Sequence, residues 1–278
     1  MSTVPTLTLN NGVEIPQLGF GVFQIPDDET EAAVGEALAA GYRSIDTASI
    51  YGNERGVARA LSASGIARDE LFVTTKLWNS DQGRATTRAA YEASLERLGQ
   101  DHMDLYLIHW PAAASGRFVE TWEVLEELYA EGLVRAIGVS NFEQAHLQEL
   151  LDLGGTVPAV NQVELHPALP QRQLQDFGAD HRIATEAWSP LAQGALLDDP
   201  VVTSIAARLG RTPAQVILRW HLQQGRIVIP KSVTPARIRA NLDVFGFDLT
   251  PSDLAAVDGL EVSGGAGRIG PHPDEFLG

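Results

Sequence analysis

Leu71-Phe72-Val73-Thr74-Thr75-Lys76, a helical pattern over 85–98 and Leu105-Tyr106-Leu107-Ile108-His109 together read as one strand–helix–strand unit. Both outer runs are short and rich in apolar and β-branched residues, as buried parallel strands are, and both end on a titratable side chain. Working outward, the same unit recurs. Strand candidates lie at 18–22, 43–47, 71–76, 105–109, 136–140, 159–164, 183–188 and 227–230. Helical stretches include 30–40, 85–98, 121–131, 144–153, 171–181 and 213–224, the last opened by Thr212 as N-cap and Pro213 in the first turn. Eight such units in about 250 residues predict an α/β fold, a (β/α)8 TIM barrel, as one domain over residues 1–278. Runs 6–9 and 13–15 around Asn11-Gly12 predict an N-terminal β-hairpin that plugs the bottom of the barrel. Residues 237–257 read as helix with a break at Gly246, and residues 263–278 as a C-terminal loop rich in Gly and Pro.

Composition narrows the function classes. The chain is 44% hydrophobic and 20% charged, with plenty to bury. A net charge of −16 argues against nucleic acid and against an anionic membrane surface. No apolar run reaches the roughly 18 residues that cross a bilayer, and residues 1–5 lack a secretion signal, so a cytoplasmic protein is expected. With no cysteine, disulfides, thiolate chemistry and Cys-bound zinc are all excluded. Only Lys76 and Lys231 are lysines among 20 Lys and Arg, and both end strand candidates. A compact ammonium does what a planar guanidinium does not.

In a barrel of this kind the chemistry gathers at the C-terminal ends of the strands. Those ends carry Asp46, Lys76 and His109, with Tyr51 in the loop after Asp46. Singly, Asp46 reads as well as a cap for a helix starting near Gly52, and a lone Tyr or His as packing. Jointly, an acid, a base, an imidazole and a phenol from three adjacent strands describe a general acid for reducing a C=O group. A phenol titrates near 10, and an ammonium about 4 Å away is sufficient to lower it by about 3 units. The set holds no electron source, so a cofactor must supply one.

The stretch 41–54, Gly-Tyr-Arg-Ser-Ile-Asp-Thr-Ala-Ser-Ile-Tyr-Gly-Asn-Glu, resembles the signature of the aldo-keto reductases. Similar matches lie at 76–78, 104–111, 138–142, 161–167, 188–191 and 229–232, and the nearest likeness is to bacterial 2,5-diketo-D-gluconic acid reductases. The resemblance implies a monomeric NADPH-dependent carbonyl reductase with Tyr51 as acid, Lys76 and Asp46 as its tuning pair and His109 as substrate orienter. It implies that Ser140, Asn141 and Gln162 hold the nicotinamide carboxamide, that Trp188 stacks on the ring, and that Ser189, Leu191 and Gln193 meet the pyrophosphate. Lys231, Ser232, Val233, Arg237 and Asn241 match the site for the adenosine end and its 2′-phosphate. Thr234 departs from the pattern, standing where some relatives place an Arg on the adenine.

Independently of that likeness, Lys231, Arg237 and Arg239 form a cationic cluster in an acidic chain, suited to a phosphate dianion. Phe23, Ile50, Trp78 and Trp110 are expected to wall a pocket for small carbonyl compounds above Tyr51 and His109, including α-dicarbonyls or keto-sugars such as 2,5-diketo-D-gluconate. Trp122 and Trp220 fall inside helical patterns and read as core. The tail is expected over the pocket mouth, with Arg268 facing either an anionic substrate or a surface acid. Gly265-Ala266-Gly267-Arg268-Ile269-Gly270 fits a dinucleotide fingerprint but lacks the flanking strand and helix, and reads as a flexible loop. Two other chemistries remain open at this level: a Schiff-base aldolase on Lys76, and a cofactor-binding regulatory protein. A metal-dependent hydrolase is disfavoured, because no His-x-His ends a strand.

Overall fold

The computed structural model describes residues 4–277. It begins with an antiparallel hairpin, β1 (Thr6–Thr8) and β2 (Glu14–Pro16), whose turn needs Gly12 in the left-handed region at φ 85°. Leu9 and Ile15 of this hairpin pack with Phe72, Leu105, Leu107, Ala136, Val160 and Ile227, the apolar filling of the barrel floor. The hairpin is therefore a plug, as its sequence predicts.

Parallel strands and helices then alternate. They are β3 (Phe20–Gly21), α1 (Asp27–Ala40), β4 (Ser44–Asp46), α2 (Glu54–Ala63), β5 (Phe72–Leu77), α3 (Thr87–Leu98), β6 (Met103–Ile108), α4 (Phe118–Ala130), β7 (Val134–Ser140), α5 (Gln144–Asp152) and β8 (Val160–Glu164). After them come α6 (Arg172–Asp180), β9 (Ala184–Trp188), α7 (Pro200–Leu209), α8 (Pro213–Gln223), β10 (Ile227–Val228), α9 (Pro235–Leu242) and α10 (Pro251–Asp258). β3 to β10 form one sheet in chain order. A parallel bridge between Leu18 and Val228 joins its two ends, with Gly19 N–H donating to Val228 O at 2.8 Å and Val228 N–H to Gln17 O at 3.0 Å. That seam closes the barrel by joining the two edge strands of the eight-stranded sheet.

β5 and β6 are buried at every position, which is why their sequences read as continuous apolar runs rather than alternating ones. Thr212 caps α8 through a reciprocal pair with Gln215, and Trp122 and Trp220 are core. The stretch expected as one broken helix after the last strand is two, α9 and α10, parted by residues 243–250. Thr250 starts α10 as a capping box and Pro251 follows it, so the second helix has its own start signal. Among the described residues no helix is long and apolar enough to cross a membrane.

Candidate active site

Asp46 ends β4, Lys76 lies one residue before the end of β5, and His109 follows β6, so three neighbouring strands deliver them to the same rim. Lys76 is fully buried and donates to Asp46 Oδ1 at 2.6 Å and to the Thr47 carbonyl at 2.9 Å. Asp46 is thus a partner of Lys76 and not a helix cap. Tyr51 closes a single 3-10 turn, Ser49–Tyr51. Ser49 Oγ ties that turn to the Lys76 carbonyl at 3.1 Å. The loop is rigid for a reason the sequence did not signal. Buried Asn53 donates to the carbonyls of Val22 and Ile25, both at 2.9 Å, and accepts from Thr47 Oγ1 at 2.8 Å.

The Lys76 ammonium sits 5.2 Å from the centroid of the Tyr51 ring, and the His109 ring lies edge-on to Tyr51 at 5.6 Å. The four expected site residues are therefore brought together. Burial opposes the charge on Lys76, but the Asp46 carboxylate, through its charge and its hydrogen bond, is the main influence that outweighs it and holds the ammonium above its ordinary range. Burial, helped by the positive Lys76, drives the His109 imidazole well below its usual value, so it is neutral. Its Nδ1 is buried with no partner among the described residues.

The phenol departs from expectation. Tyr51 keeps some solvent-accessible surface, yet it sits deep enough that desolvation raises its pKa above 10, and the pull of Lys76 only partly offsets this. Asp46 adds to the rise. The resting phenol is protonated.

Beyond β6 the rim turns amide-rich. Gln162 Nε2 donates to Asp46 Oδ2 and to Glu186 Oε2, both at 2.8 Å, which leaves Gln162 Oε1 without a partner among the described residues. Ser140 Oγ donates to the Gln162 carbonyl at 2.8 Å. Asn141 is held at φ 62°, donates to the His109 carbonyl at 2.9 Å, and accepts the Trp188 indole N–H at 2.8 Å. The indole is thereby locked in place while half-buried. Ser189 and Gln193 lie in the next loop at φ 47° and 52°, a backbone strain typical of ligand-facing turns, with Leu191 between them.

Lys231 and Val233 are exposed after β10, with Ser232 buried between them; Arg237 is exposed on α9 and Asn241 buried there. Neither Lys231 nor Arg237 has an ion-pair partner among the described residues. Arg239 does not join them. It turns to Glu36 on α1 at 2.9 Å, because a helix cannot point residues 237 and 239 the same way. A free amide oxygen on β8, a fixed half-buried indole ending β9, and two cations after β10, Lys231 in the loop and Arg237 on α9, fit a nicotinamide dinucleotide with a phosphate at its far end.

Phe23 and Ile50 stand half-exposed at the mouth, Phe23 packing on Tyr51 at 4.9 Å. Trp78 lies edge-on to His109 at 5.1 Å. Trp110 is nearly buried, because Phe276 from the tail packs on it at 4.5 Å and reaches Trp78 at 6.1 Å. Phe276 had no sequence signal, lying in a Gly- and Pro-rich stretch. The supposed flexible fingerprint loop is docked. Ile269 and Gly270 N–H donate to buried Glu164 at 2.6 and 2.9 Å, and Arg268 pairs with Glu143 at 3.4 Å. Gly267 and Gly270 are needed for contact: a Cβ would stand 2.1 Å from the Ala168 carbonyl and 2.6 Å from the Trp188 ring. No group of three or more His, Asp or Glu placed to hold a metal occurs among the described residues.

Fold and side-chain placement together define a (β/α)8 barrel of the enzyme type, with its candidate site at the C-terminal rim. The aldo/keto reductase family model matches residues 17–262, and this chain belongs to that family. It is an oxidoreductase of carbonyl groups. An aldo-keto reductase of Mycolicibacterium smegmatis is 55% identical over 98% of both chains, and the methylglyoxal reductase DkgA of Yersinia pestis 52% over 99% of both. The glyoxal reductase of Bacillus subtilis is 51% identical over 98% of this chain and 97% of its own. A crystal structure of a Gox0644 variant in complex with NADPH superposes with a TM-score of 0.95 at 48% identity over 99% of both chains.

Proposed function

We propose that this chain reduces aldehydes and ketones to alcohols with NADPH, with α-dicarbonyl or keto-sugar compounds as the substrate class and Tyr51 as proton donor. NADPH supplies the hydride when bound. The observation that carries the reading is the buried Lys76–Asp46 pair against the Tyr51 ring, opposite a neutral His109. A neutral imidazole donates a hydrogen bond to a substrate oxygen without adding a charge. As that oxygen becomes alkoxide-like it takes the Tyr51 proton, and the phenolate left behind is stabilised by the ammonium beside it. Protonated at rest and compensated only when it ionises, Tyr51 does its work late in the reaction. Asp46 keeps Lys76 charged, which disfavours a Schiff-base role for that lysine.

Toward the cofactor, the Gln162 Oε1 is positioned to accept from the carboxamide, the Trp188 face to stack on the ring, and Lys231 with Arg237 to hold the 2′-phosphate. Ser140, Asn141, Ser189, Leu191, Gln193, Ser232, Val233 and Asn241 line the path between. Phe23, Ile50, Trp78 and Trp110 bound the carbonyl pocket. The similarity to methylglyoxal and glyoxal reductases supports small dicarbonyls as first substrates.

The deciding assay follows loss of NADPH absorbance against methylglyoxal, glyoxal and keto-sugars. Carbonyl-dependent oxidation that disappears in Tyr51→Phe, with NADPH still bound by fluorescence, is the expected result. Turnover at the wild-type rate in that variant refutes the assignment of Tyr51.

A further inference from the structure

Glu186 has no part in the chemistry above, yet it is wired to it. It sits on β9, almost wholly buried, with Gln162 of β8 and Ile227 of β10 as its register partners. Gln162 Nε2 spends both its hydrogens on carboxylates, Glu186 Oε2 on one side and Asp46 Oδ2 on the other. Asp46 Oδ1 in turn accepts from Lys76. One amide therefore couples an unused acid to the anion that anchors the ammonium beside Tyr51. The charged groups acting on Glu186 are Asp46 from β4 and Lys76 from β5, while its register partners Gln162 on β8 and Ile227 on β10 do not titrate; Glu164, at the far end of β8, is held by His166 and the tail.

A buried site holding two carboxylates and one ammonium carries a net negative charge unless one acid keeps its proton. Burial first, and then repulsion by Asp46, pushes the Glu186 carboxyl up to about 7, against the help of Gln162 and Lys76.

We propose that Glu186 is a positioning residue for the Tyr51 proton: it fixes the amide of Gln162 and, by gaining or losing its own proton, sets how strongly Lys76 assists the phenol. With Glu186 neutral, Asp46 is the only anion offsetting the field of the ammonium, and the rest of that field falls on the developing phenolate. With Glu186 ionised, a second negative charge steadies the ammonium and opposes the phenolate, so proton donation slows. No bond to substrate is involved. The same contact fixes which end of the Gln162 amide remains free, since an amide donating twice presents its oxygen elsewhere. The proposal rests on Tyr51 being the donor.

The test is kcat for methylglyoxal at saturating NADPH, from about pH 5.5 to about pH 9, in wild type and Glu186→Gln. The wild type is expected to show a falling limb with its midpoint at about 7, and a drop on the order of 10-fold across it. In Glu186→Gln that limb is expected to vanish, while NADPH affinity by fluorescence stays within about 2-fold. A limb of unchanged midpoint in the variant overturns the proposal. Should the variant not fold, infrared titration of the wild type decides. A protonated carboxyl band that disappears near pH 7 supports the proposal, and the absence of such a band between about pH 5.5 and 7 overturns it. Tyr51→Phe reports separately on the donor: undiminished turnover there fails the donor assignment, whereas an unchanged limb in Glu186→Gln fails only this one.

Discussion

At the scale of single residues the site is a contest between burial and nearby charge. Tyr51 keeps its proton because desolvation exceeds the pull of an ammonium 5.2 Å from its ring centroid. Removing its hydroxyl in Tyr51→Phe is expected to lower kcat by roughly 100- to 10,000-fold, the span of general acid catalysis, with cofactor affinity near wild type by fluorescence titration. Lys231→Ala is expected to weaken NADPH about 10-fold, roughly 1.4 kcal/mol, and NADH less than about 2-fold; equal losses would remove Lys231 from the phosphate end. Glu186 also has a stability signature. Its carboxyl keeps the proton to about 7 when folded, against an ordinary 4.5, so the folded state binds more protons between those values. The group's contribution is then fully present below about 4.5 and is lost as pH rises through about 7. Urea midpoints of Glu186→Gln should lose that part of the wild-type slope. Asp46, Lys76 and His109 were legible because each sits at or beside the end of a strand run. The direction of the Tyr51 shift was not, because it depends on how deeply the loop is buried.

Among the elements, the tail shows how loosely composition constrains placement. Residues 263–277 are polar and glycine-rich, yet Glu164 at the end of β8 receives two of their backbone N–H groups and seats Phe276 on Trp110. Phe276→Ala is expected to open the carbonyl pocket, raising KM for methylglyoxal by about 3- to 10-fold with kcat little changed, since among the described residues the tail makes no hydrogen bond or ring contact with Asp46, Tyr51, Lys76 or His109; an unchanged KM would remove the tail from the pocket. Helix starts were easier to read. Thr212 and Pro213 act locally, through one capping box, whatever the tertiary context. The short helix α2 had no comparable signal. It is placed by buried Glu54, which accepts from Thr75 on β5 at 2.7 Å and pairs with Arg97 on α3 at 2.5 Å.

For the molecule as a whole, the critical feature is closure. The hydrogen bonds around Leu18 and Val228 join the first and last strands, and every rim residue depends on that ring being complete. Tight interstrand packing leaves no slack: a Cβ on Gly138 of β7 would stand 2.6 Å from the Val160 carbonyl on β8. Gly138→Ala is expected to cost about 1–3 kcal/mol or more by urea unfolding, with the loss felt at Asn141 and Gln162 next to it on the rim. A wild-type unfolding midpoint would show that β7 and β8 can part without cost.

The order of the strands and of most helices, the hairpin plug, the residues at strand ends and the buried tryptophans follow from local pattern, because apolar period, caps and turn residues act over a few positions; α2 and α7 (Pro200–Leu209) were not read from it. Contacts between distant segments were decided only in three dimensions. Gln162 bridging Asp46 and Glu186, Arg239 turning to Glu36, and Phe276 over Trp110 each join residues far apart in the chain. No periodicity encodes such pairs. They exist because closing the barrel brings eight strand ends and one tail to the same rim.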